Sequence, residues 1–214
     1  MDDELKNSIL KSGTTILGIV CRDGIVMASD RQSTAGTIVM KKNKEKTTKI
    51  NECLLYSGTG LASAIQRTAR LLGAELRLKE LRAKSRPSVR QAASLLAAII
   101  YGQIRRFSTI PDIVGSLIGG INEDGTIELY TIDPSGNVDN VEDYDANFGS
   151  GMPFSLGLLE RGYKQGMSVK EGIELAKEAV LSSTQRDTGS GFGIDIYTIA
   201  KEGIKKAFEI ELKK

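Results

Sequence analysis

Three consecutive residues, Gly13-Thr14-Thr15, stand where a polar leader gives way to a run of β-branched residues. A threonine hydroxyl is a poor nucleophile at neutral pH until a nearby base takes its proton. Cleavage between Gly13 and Thr14 would supply that base, because a free α-amino group has a pKa of about 7.7 to 8.0 and is partly neutral at working pH. Taken alone, however, a threonine at this point is more often simply the first residue of a strand.

The absence of histidine narrows the possible chemistry further. No Ser-His-Asp or Cys-His arrangement can form, so a nucleophilic mechanism must take its base from an amine, a carboxylate or the chain terminus. A zinc site is disfavoured for the same reason. The two cysteines are too few for a disulfide framework.

Charge and hydropathy exclude several classes of protein. The chain has 29 basic and 27 acidic residues that are interleaved, without the single-sign stripe that is typical of nucleic-acid binders. The first residues of the sequence, Met1 to Lys6, are acidic and lack the apolar stretch of a secretory signal, and no run approaches the roughly 18 apolar residues of a membrane span. We therefore expect no nucleic acid and no membrane among its partners, and a cytoplasmic location.

Short β-branched runs predict the strands of the fold. Asp23-Gly24 separates the first two runs and is a strong hairpin signal. Strands are predicted over residues 15–21, 24–29, 37–41, 47–50, 53–57, 113–122, 126–133, 192–201 and 205–211.

Longer amphipathic stretches lie between these groups of strands. Ser88 with Gln91, and Ser168 with Glu171, form capping-box patterns that indicate helix starts. Helices are predicted over residues 61–84, 88–107, 153–165 and 168–182. Each helix pair can cover the outer face of one sheet. The order predicts an α+β fold, a four-layer α/β/β/α sandwich of two stacked, mainly antiparallel sheets, in one domain over residues 14–214.

Further short motifs follow the threonine pair in order along the chain. They are Ala28-Ser29-Asp30-Arg31, Lys46, Ser57-Gly58, Gly149-Ser150-Gly151 and Gln185-Arg186-Asp187-Thr188-Gly189-Ser190-Gly191. Each motif is weak alone, but the ordered set resembles the proteasome β subunit, of the simple archaeal type. The resemblance extends from Thr14 to about Thr198 and implies an amino-terminal-nucleophile (Ntn) hydrolase fold, in agreement with the layers predicted above.

The resemblance also implies roles for individual residues. Thr14 matches the nucleophile, and Lys46 would lower the pKa of its amine and hydroxyl while Asp30 holds the lysine ammonium in place. Gly58 matches the oxyanion-hole glycine, whose N–H would stabilise the developing negative charge. The supporting polar residues are Ser150, Asp187 and Ser190. The candidates for the substrate pocket are Ser33, Lys44, Tyr56 and Gly60.

The implied activity is that of a threonine peptidase subunit in the proteasome core particle. Autocatalytic cleavage between Gly13 and Thr14 would remove residues 1–13, a pro-segment that keeps the precursor a zymogen, and the mature subunit would degrade unfolded proteins to short peptides. Implied partners are other β subunits in a heptameric ring, rings of α subunits and, through the α ring, a regulatory ATPase unfoldase. Neither a metal nor an organic cofactor is expected.

Three alternatives remain open at this point. The chain could be an unprocessed, catalytically silent β-ring subunit, although such a subunit has no chemical need for the full polar set. It could resemble the bacterial ATP-dependent peptidase that also begins Thr-Thr, but the long pro-segment and the motif at residues 187–191 argue against this. It could also be a small-molecule amidase on the same fold, which should act as a monomer.

Overall fold

The computed structural model describes residues 13–212, so that all of the expected pro-segment except Gly13 lies outside the described residues. Within this range the chain forms twelve strands and four helices. The strands are β1 Ile16–Cys21, β2 Gly24–Asp30, β3 Ser33–Ala35, β4 Ile38–Lys41, β5 Thr47–Asn51, β6 Leu54–Gly60, β7 Val114–Ile121, β8 Ile127–Ile132, β9 Val138–Asn140, β10 Tyr144–Asp145, β11 Gly193–Ala200 and β12 Gly203–Glu211. The helices are α1 Ala62–Ala83, α2 Val89–Ile104, α3 Met152–Gly162 and α4 Val169–Arg186.

Two five-stranded antiparallel sheets form the centre of the molecule. The first sheet has the order β10-β1-β2-β11-β12, and the second has the order β5-β6-β7-β8-β9. Strands β3 and β4 form a separate hairpin. The two-residue turn at Arg22 and Asp23 joins β1 to β2 with Cys21 opposite Gly24, as the hairpin signal predicts.

Three apolar clusters hold the layers together. The cluster between the two sheets takes side chains from both and includes Ile16, Met27, Leu55, Leu117 and Ile199. A second cluster packs α1 and α2 onto the second sheet, and a third packs α3 and α4 onto the first. Full burial of a leucine or isoleucine contributes roughly 1.5–3 kcal/mol. The four-layer α/β/β/α sandwich predicted from the sequence is thus confirmed.

Both predicted capping boxes are present. Ser88 Oγ accepts from the Gln91 amide at 3.2 Å while Gln91 Oε1 accepts from the Ser88 amide at 3.0 Å. Ser168 and Glu171 make the same reciprocal pair at 3.3 and 2.8 Å. These bonds satisfy backbone donors that a helix start otherwise leaves unpaired. Among residues 13–212, no helix combines the length and apolar character needed to cross a membrane.

The structure adds three short strands that the sequence does not predict, namely β3, β9 and β10. Each has only two or three residues, too few to show the alternation of buried and exposed side chains by which strands are recognised. Strand β6 also continues past residue 57 to Gly60, because pairing with β7 outweighs the low strand propensity of glycine. This extension brings the end of β6 to the site described next.

Candidate active site

Thr14 lies at the head of β1, with 4% of its surface exposed. Its Oγ1 donates to the carbonyl oxygen of Gly13 at 2.6 Å, and its amide donates to Ser150 Oγ at 3.1 Å. The amide of Gly13 donates to Thr34 Oγ1 on β3 at 2.8 Å. The peptide bond between Gly13 and Thr14 is therefore held on both sides, with the hydroxyl of Thr14 against its carbonyl.

A buried ion pair lies beside this peptide bond. Lys46, just before β5, places its Nζ 2.6 Å from Asp30 Oδ1 at the end of β2, and the side chains of Lys46 and Asp30 are 6% and 0% exposed. The same Nζ donates to the carbonyl oxygen of Gly13 at 3.4 Å. The carboxylate of Asp30 also accepts three backbone amides, from Thr15, Gln32 and Gly191, at 2.8, 2.9 and 3.0 Å. These bonds fix the carboxylate, and through it the lysine.

The electrostatics of Lys46 follow from this burial. Burial lowers the pKa of Lys46 below its ordinary value, because the charged ammonium loses its hydration. Attraction and a hydrogen bond from Asp30 oppose that shift, with a smaller contribution from Asp187. The charge state of Lys46 is therefore sensitive to the presence of its carboxylate partner.

A second polar chain lies on the other side of Thr14. Ser150 Oγ donates to Asp187 Oδ2 at 2.6 Å, and Ser190 Oγ donates to the same oxygen at 2.6 Å. Ser190 Oγ is also 2.7 Å from Thr15 Oγ1. The nitrogen of Thr14 is thereby connected through one hydroxyl to a carboxylate, an arrangement able to carry a proton.

Three glycines allow the chain segments around Thr14 to pack closely against one another. A Cβ added to Gly13 would lie 2.0 Å from the Cα of Gly189, and one added to Gly151 would lie 1.9 Å from Thr15 Oγ1. A Cβ on Gly149 would lie 2.3 Å from the carbonyl oxygen of Thr14. A larger residue in place of Gly13 or Gly149 requires the backbone to shift, and one in place of Gly151 requires the side chain of Thr15 to move.

A cavity of about 230 Å³ opens next to Thr14 and Lys46. All four pocket candidates from the sequence line it, as do the two glycines of β6. Apolar and polar atoms are mixed along its wall, which combines side chains from α1 with the segment before β5. The lining residues are Gly13, Thr14, Gln32, Ser33, Lys44, Glu45, Lys46, Thr48, Tyr56, Gly58, Gly60, Ala62, Ile65, Gln66, Ala69 and Arg70.

The register of β6 distinguishes its two glycines. Leu61 donates to the carbonyl of Ile113, so the alternate residues Gly58 and Gly60 direct their amides away from β7 and toward β5. Strand β5 begins at Thr47, opposite Ser57, and so ends its pairing before Gly60 is reached. The amide of Gly60 therefore lies beyond the end of the ladder, where it is available to the cavity.

The structure brings the predicted catalytic set into one cluster. Asp30 and Lys46 form the pair beside Thr14, and Ser150, Asp187 and Ser190 form the chain behind it.

Within residues 13–212, no group of three or more histidine, cysteine or acidic residues is placed to hold a metal ion.

Three residues of the site are missed by the sequence analysis. Thr15 donates its amide to Asp30, Thr34 holds the amide of Gly13, and Asn147 ties the loop before Ser150 to the second sheet. Thr15 could have been found from the sequence, because it directly follows Thr14. The roles of Thr34 and Asn147 depend on loop conformations that no local sequence pattern predicts.

Comparison with known proteins gives the family context. A family model described as "Proteasome subunit" matches residues 10–199. The chain is 40% identical over 195 residues to "Proteasome subunit beta" of Nanoarchaeum equitans, covering 91% of this chain and 97% of that protein. It is 36% identical to "Proteasome subunit beta" of Methanopyrus kandleri, covering 96% of each, and 39% identical to "Proteasome subunit beta 2" of Pyrococcus abyssi, covering 94% and 93%.

Proposed function

Because the chain belongs to the proteasome subunit family, among the β subunits, we propose that it is a threonine-type endopeptidase that matures by cutting itself between Gly13 and Thr14. The observation that carries this proposal is the position of the Thr14 hydroxyl. It lies 2.6 Å from the carbonyl oxygen of Gly13, beside the buried pair of Lys46 and Asp30. A silent ring subunit would have no chemical use for this arrangement.

Maturation uses the peptide bond already held in the site. Thr14 Oγ1 attacks the carbonyl carbon of Gly13, a C–O bond forms as the C–N bond breaks, and the hydroxyl proton ends on the departing nitrogen of Thr14. Lys46 stabilises the negative charge on the carbonyl oxygen, to which it already donates. Water then hydrolyses the ester, releasing residues 1–13 and leaving a free amine on Thr14.

The free amine is the general base in peptide hydrolysis. It accepts the proton of the Thr14 hydroxyl, directly or through Ser150, and the oxygen attacks a substrate carbonyl to form an acyl-enzyme. The departing peptide takes the proton, and water hydrolyses the ester to restore the hydroxyl. A charged Lys46 lowers the pKa of the amine, which raises its neutral fraction near pH 7.

The oxyanion donor in this scheme is the amide of Gly60. The resemblance noted in the sequence implies that role for Gly58, but the strand register favours Gly60, whose amide lies past the end of β5. Gly58 instead forms part of the wall, where a Cβ would come within 2.7 Å of Ile65 and 2.8 Å of the Tyr56 hydroxyl. Losing an oxyanion donor costs roughly 3 kcal/mol of transition-state stabilisation.

The proposed substrate is an unfolded polypeptide, and the proposed setting is the cytoplasmic core particle. There, β subunits form a heptameric ring between α-subunit rings, and an ATPase unfoldase delivers substrate through the α ring. Ser33, Lys44 and Tyr56 would then contact the substrate side chain next to the cleaved bond, since they line the cavity beside Thr14.

Hydrolysis of a fluorogenic peptide by the particle assembled with its α subunit tests this function. We expect activity in the wild type, measurable activity in Thr14→Ser, which keeps a hydroxyl, and none in Thr14→Ala. An assembled wild-type particle that hydrolyses no peptide would contradict the proposal and favour a silent structural subunit. Activity that survives in Thr14→Ala would place the chemistry elsewhere.

A further inference from the structure

The two members of the catalytic ion pair each have a charged neighbour in the chain. Arg31 follows Asp30, and Glu45 precedes Lys46. The two segments also meet directly, because the amide of Lys44 donates to the carbonyl of Arg31 at 2.8 Å. Both neighbours extend their side chains to β11 and β12.

Arg31 is held by a buried carboxylate on β11. Its Nε and Nη2 donate to the two oxygens of Asp195 at 2.9 and 2.7 Å, and Asp195 is fully buried. The guanidinium also contacts Glu209 on β12. A bidentate pair of this kind fixes direction as well as distance, because the planar guanidinium matches the carboxylate.

Glu45 is held by the same part of the sheet. Its Oε1 accepts from the hydroxyl of Tyr197 at 2.7 Å and from Lys206 Nζ at 2.9 Å. The hydrogen bond from Lys206 is the main cause that lowers the pKa of Glu45, so the carboxylate stays ionised at neutral pH.

Lys206 joins the two halves of the network. Its Nζ lies 2.9 Å from Glu45, 3.0 Å from Asp195 and 2.8 Å from Glu209, and its side chain is 28% exposed. Burial alone would lower the pKa of Lys206, but hydrogen bonds to these three carboxylates raise it overall. One ammonium thus contacts the carboxylate beside Lys46 and the two carboxylates that accept hydrogen bonds from Arg31.

We propose that Lys206 is a positioning residue for the catalytic pair: by linking Glu45 to Asp195 and Glu209, it fixes the segment of Lys46 relative to the segment of Asp30. The inference rests on the proposed function, because it concerns the geometry of that site. Lys206 acts only through these neighbours and does not touch Thr14. Geometry of this kind matters because a displacement of about 1 Å in a catalytic group can cost on the order of a hundredfold in rate.

Steady-state kinetics of the assembled particle test the role. Lys206→Met removes the ammonium and keeps much of the side-chain volume, while Lys206→Arg restores the charge. Lys205→Met is the matched control, since Lys205 is the exposed neighbour on the same strand. We expect kcat to fall roughly tenfold or more in Lys206→Met, with a smaller change in KM, and to recover in Lys206→Arg.

A double variant tests whether Lys206 acts through Glu45. If Lys206 acts through Glu45, then Lys206→Met with Glu45→Gln should lower kcat no further than the more severe single variant does. Unchanged kcat in Lys206→Met, a loss equal to that in Lys205→Met, or failure of Lys206→Arg to restore kcat would overturn the positioning role while the wild type remains active. A wild-type particle without Thr14-dependent hydrolysis would overturn the proposed function and, with it, this inference.

Discussion

Gly13 and Gly189 pack backbone against backbone, so closely that a Cβ on Gly13 would lie 2.0 Å from the Cα of Gly189. A side chain at Gly189 would also clash, since its Cβ would lie 2.4 Å from the Cα of Gly13 and 3.0 Å from Ser150 Oγ. The residue before the threonine is thus constrained by the loop that carries Asp187 and Ser190. The contact links the site of cleavage to the groups proposed to support it.

Replacing Gly13 with alanine should therefore block or greatly slow maturation. The added methyl group must displace the backbone of residue 189, which moves the scissile carbonyl away from the Thr14 hydroxyl. The intact mass of the assembled chain, followed over time, measures this directly. Gly157→Ala is a suitable control, because a Cβ there meets nothing within 4 Å, and its mass should fall as in the wild type.

Replacing Asp30 with asparagine should shift the pH dependence of kcat. The carboxylate opposes the lowering of the pKa of Lys46 by burial, so its loss lets that pKa fall further. The proposed mechanism needs a charged lysine, so kcat falls as the pH rises through the pKa of Lys46. This fall should occur at a lower pH in Asp30→Asn than in the wild type. Asp112→Asn, in a surface pair with Arg67, should leave the profile unchanged. If kcat falls at the same alkaline pH in Asp30→Asn and in the wild type, the proposal that Lys46 must be charged is contradicted.

Asn147 should matter for stability although it carries no proposed chemistry. It adopts a positive φ of 46°, which asparagine tolerates better than most residues, and its Nδ2 donates to the Ser116 carbonyl and Thr131 Oγ1 at 3.0 Å each. Asn147→Ala removes these two hydrogen bonds and an acceptor of the buried Thr59 hydroxyl, and should lower the free energy of unfolding by about 2 kcal/mol. Denaturant unfolding of the isolated subunit measures this free energy, and Asn140→Ala, at an exposed position, is the control. If both variants lower the free energy of unfolding by the same small amount, the stabilising role of Asn147 is refuted.

The thiol of Cys21 should be unreactive in the folded protein. Burial, aided by the nearby charges of Asp23 and Glu171, raises the pKa of Cys21 to about 12, so almost no thiolate exists at pH 8.5. Iodoacetamide should leave Cys21 unmodified until denaturant is added. Peptide mapping reads out the modified site, and rapid labelling of Cys21 in the native chain would show that the burial is wrong.

Sequence reasoning identifies the parts of the site that lie at recognisable ends of elements. Thr14 precedes a β-branched run, and Asp30 ends the strand that follows the Asp23-Gly24 hairpin. The four layers follow from the order of strands and capped helices, since amphipathic elements must bury their apolar faces against one another.

The remaining features depend on relationships between distant segments. The role proposed for the Gly60 amide follows from where β5 stops pairing with β6, which is a matter of register rather than of composition. Thr34 reaches Gly13 only through a three-residue strand, and Lys206 meets Glu45 across 161 residues of chain. Lys206 is one of 29 basic residues, and the sequence around it does not indicate that its side chain contacts Glu45.

The intact mass of the subunit, measured after assembly with its α partner, is the most direct test of self-cleavage before Thr14. Self-cleavage predicts that the wild-type chain loses residues 1–13, that the new amino terminus is Thr14, and that Thr14→Ala retains its full length. An assembled wild-type particle with an uncut amino terminus, or cleavage at this bond in Thr14→Ala, would contradict it.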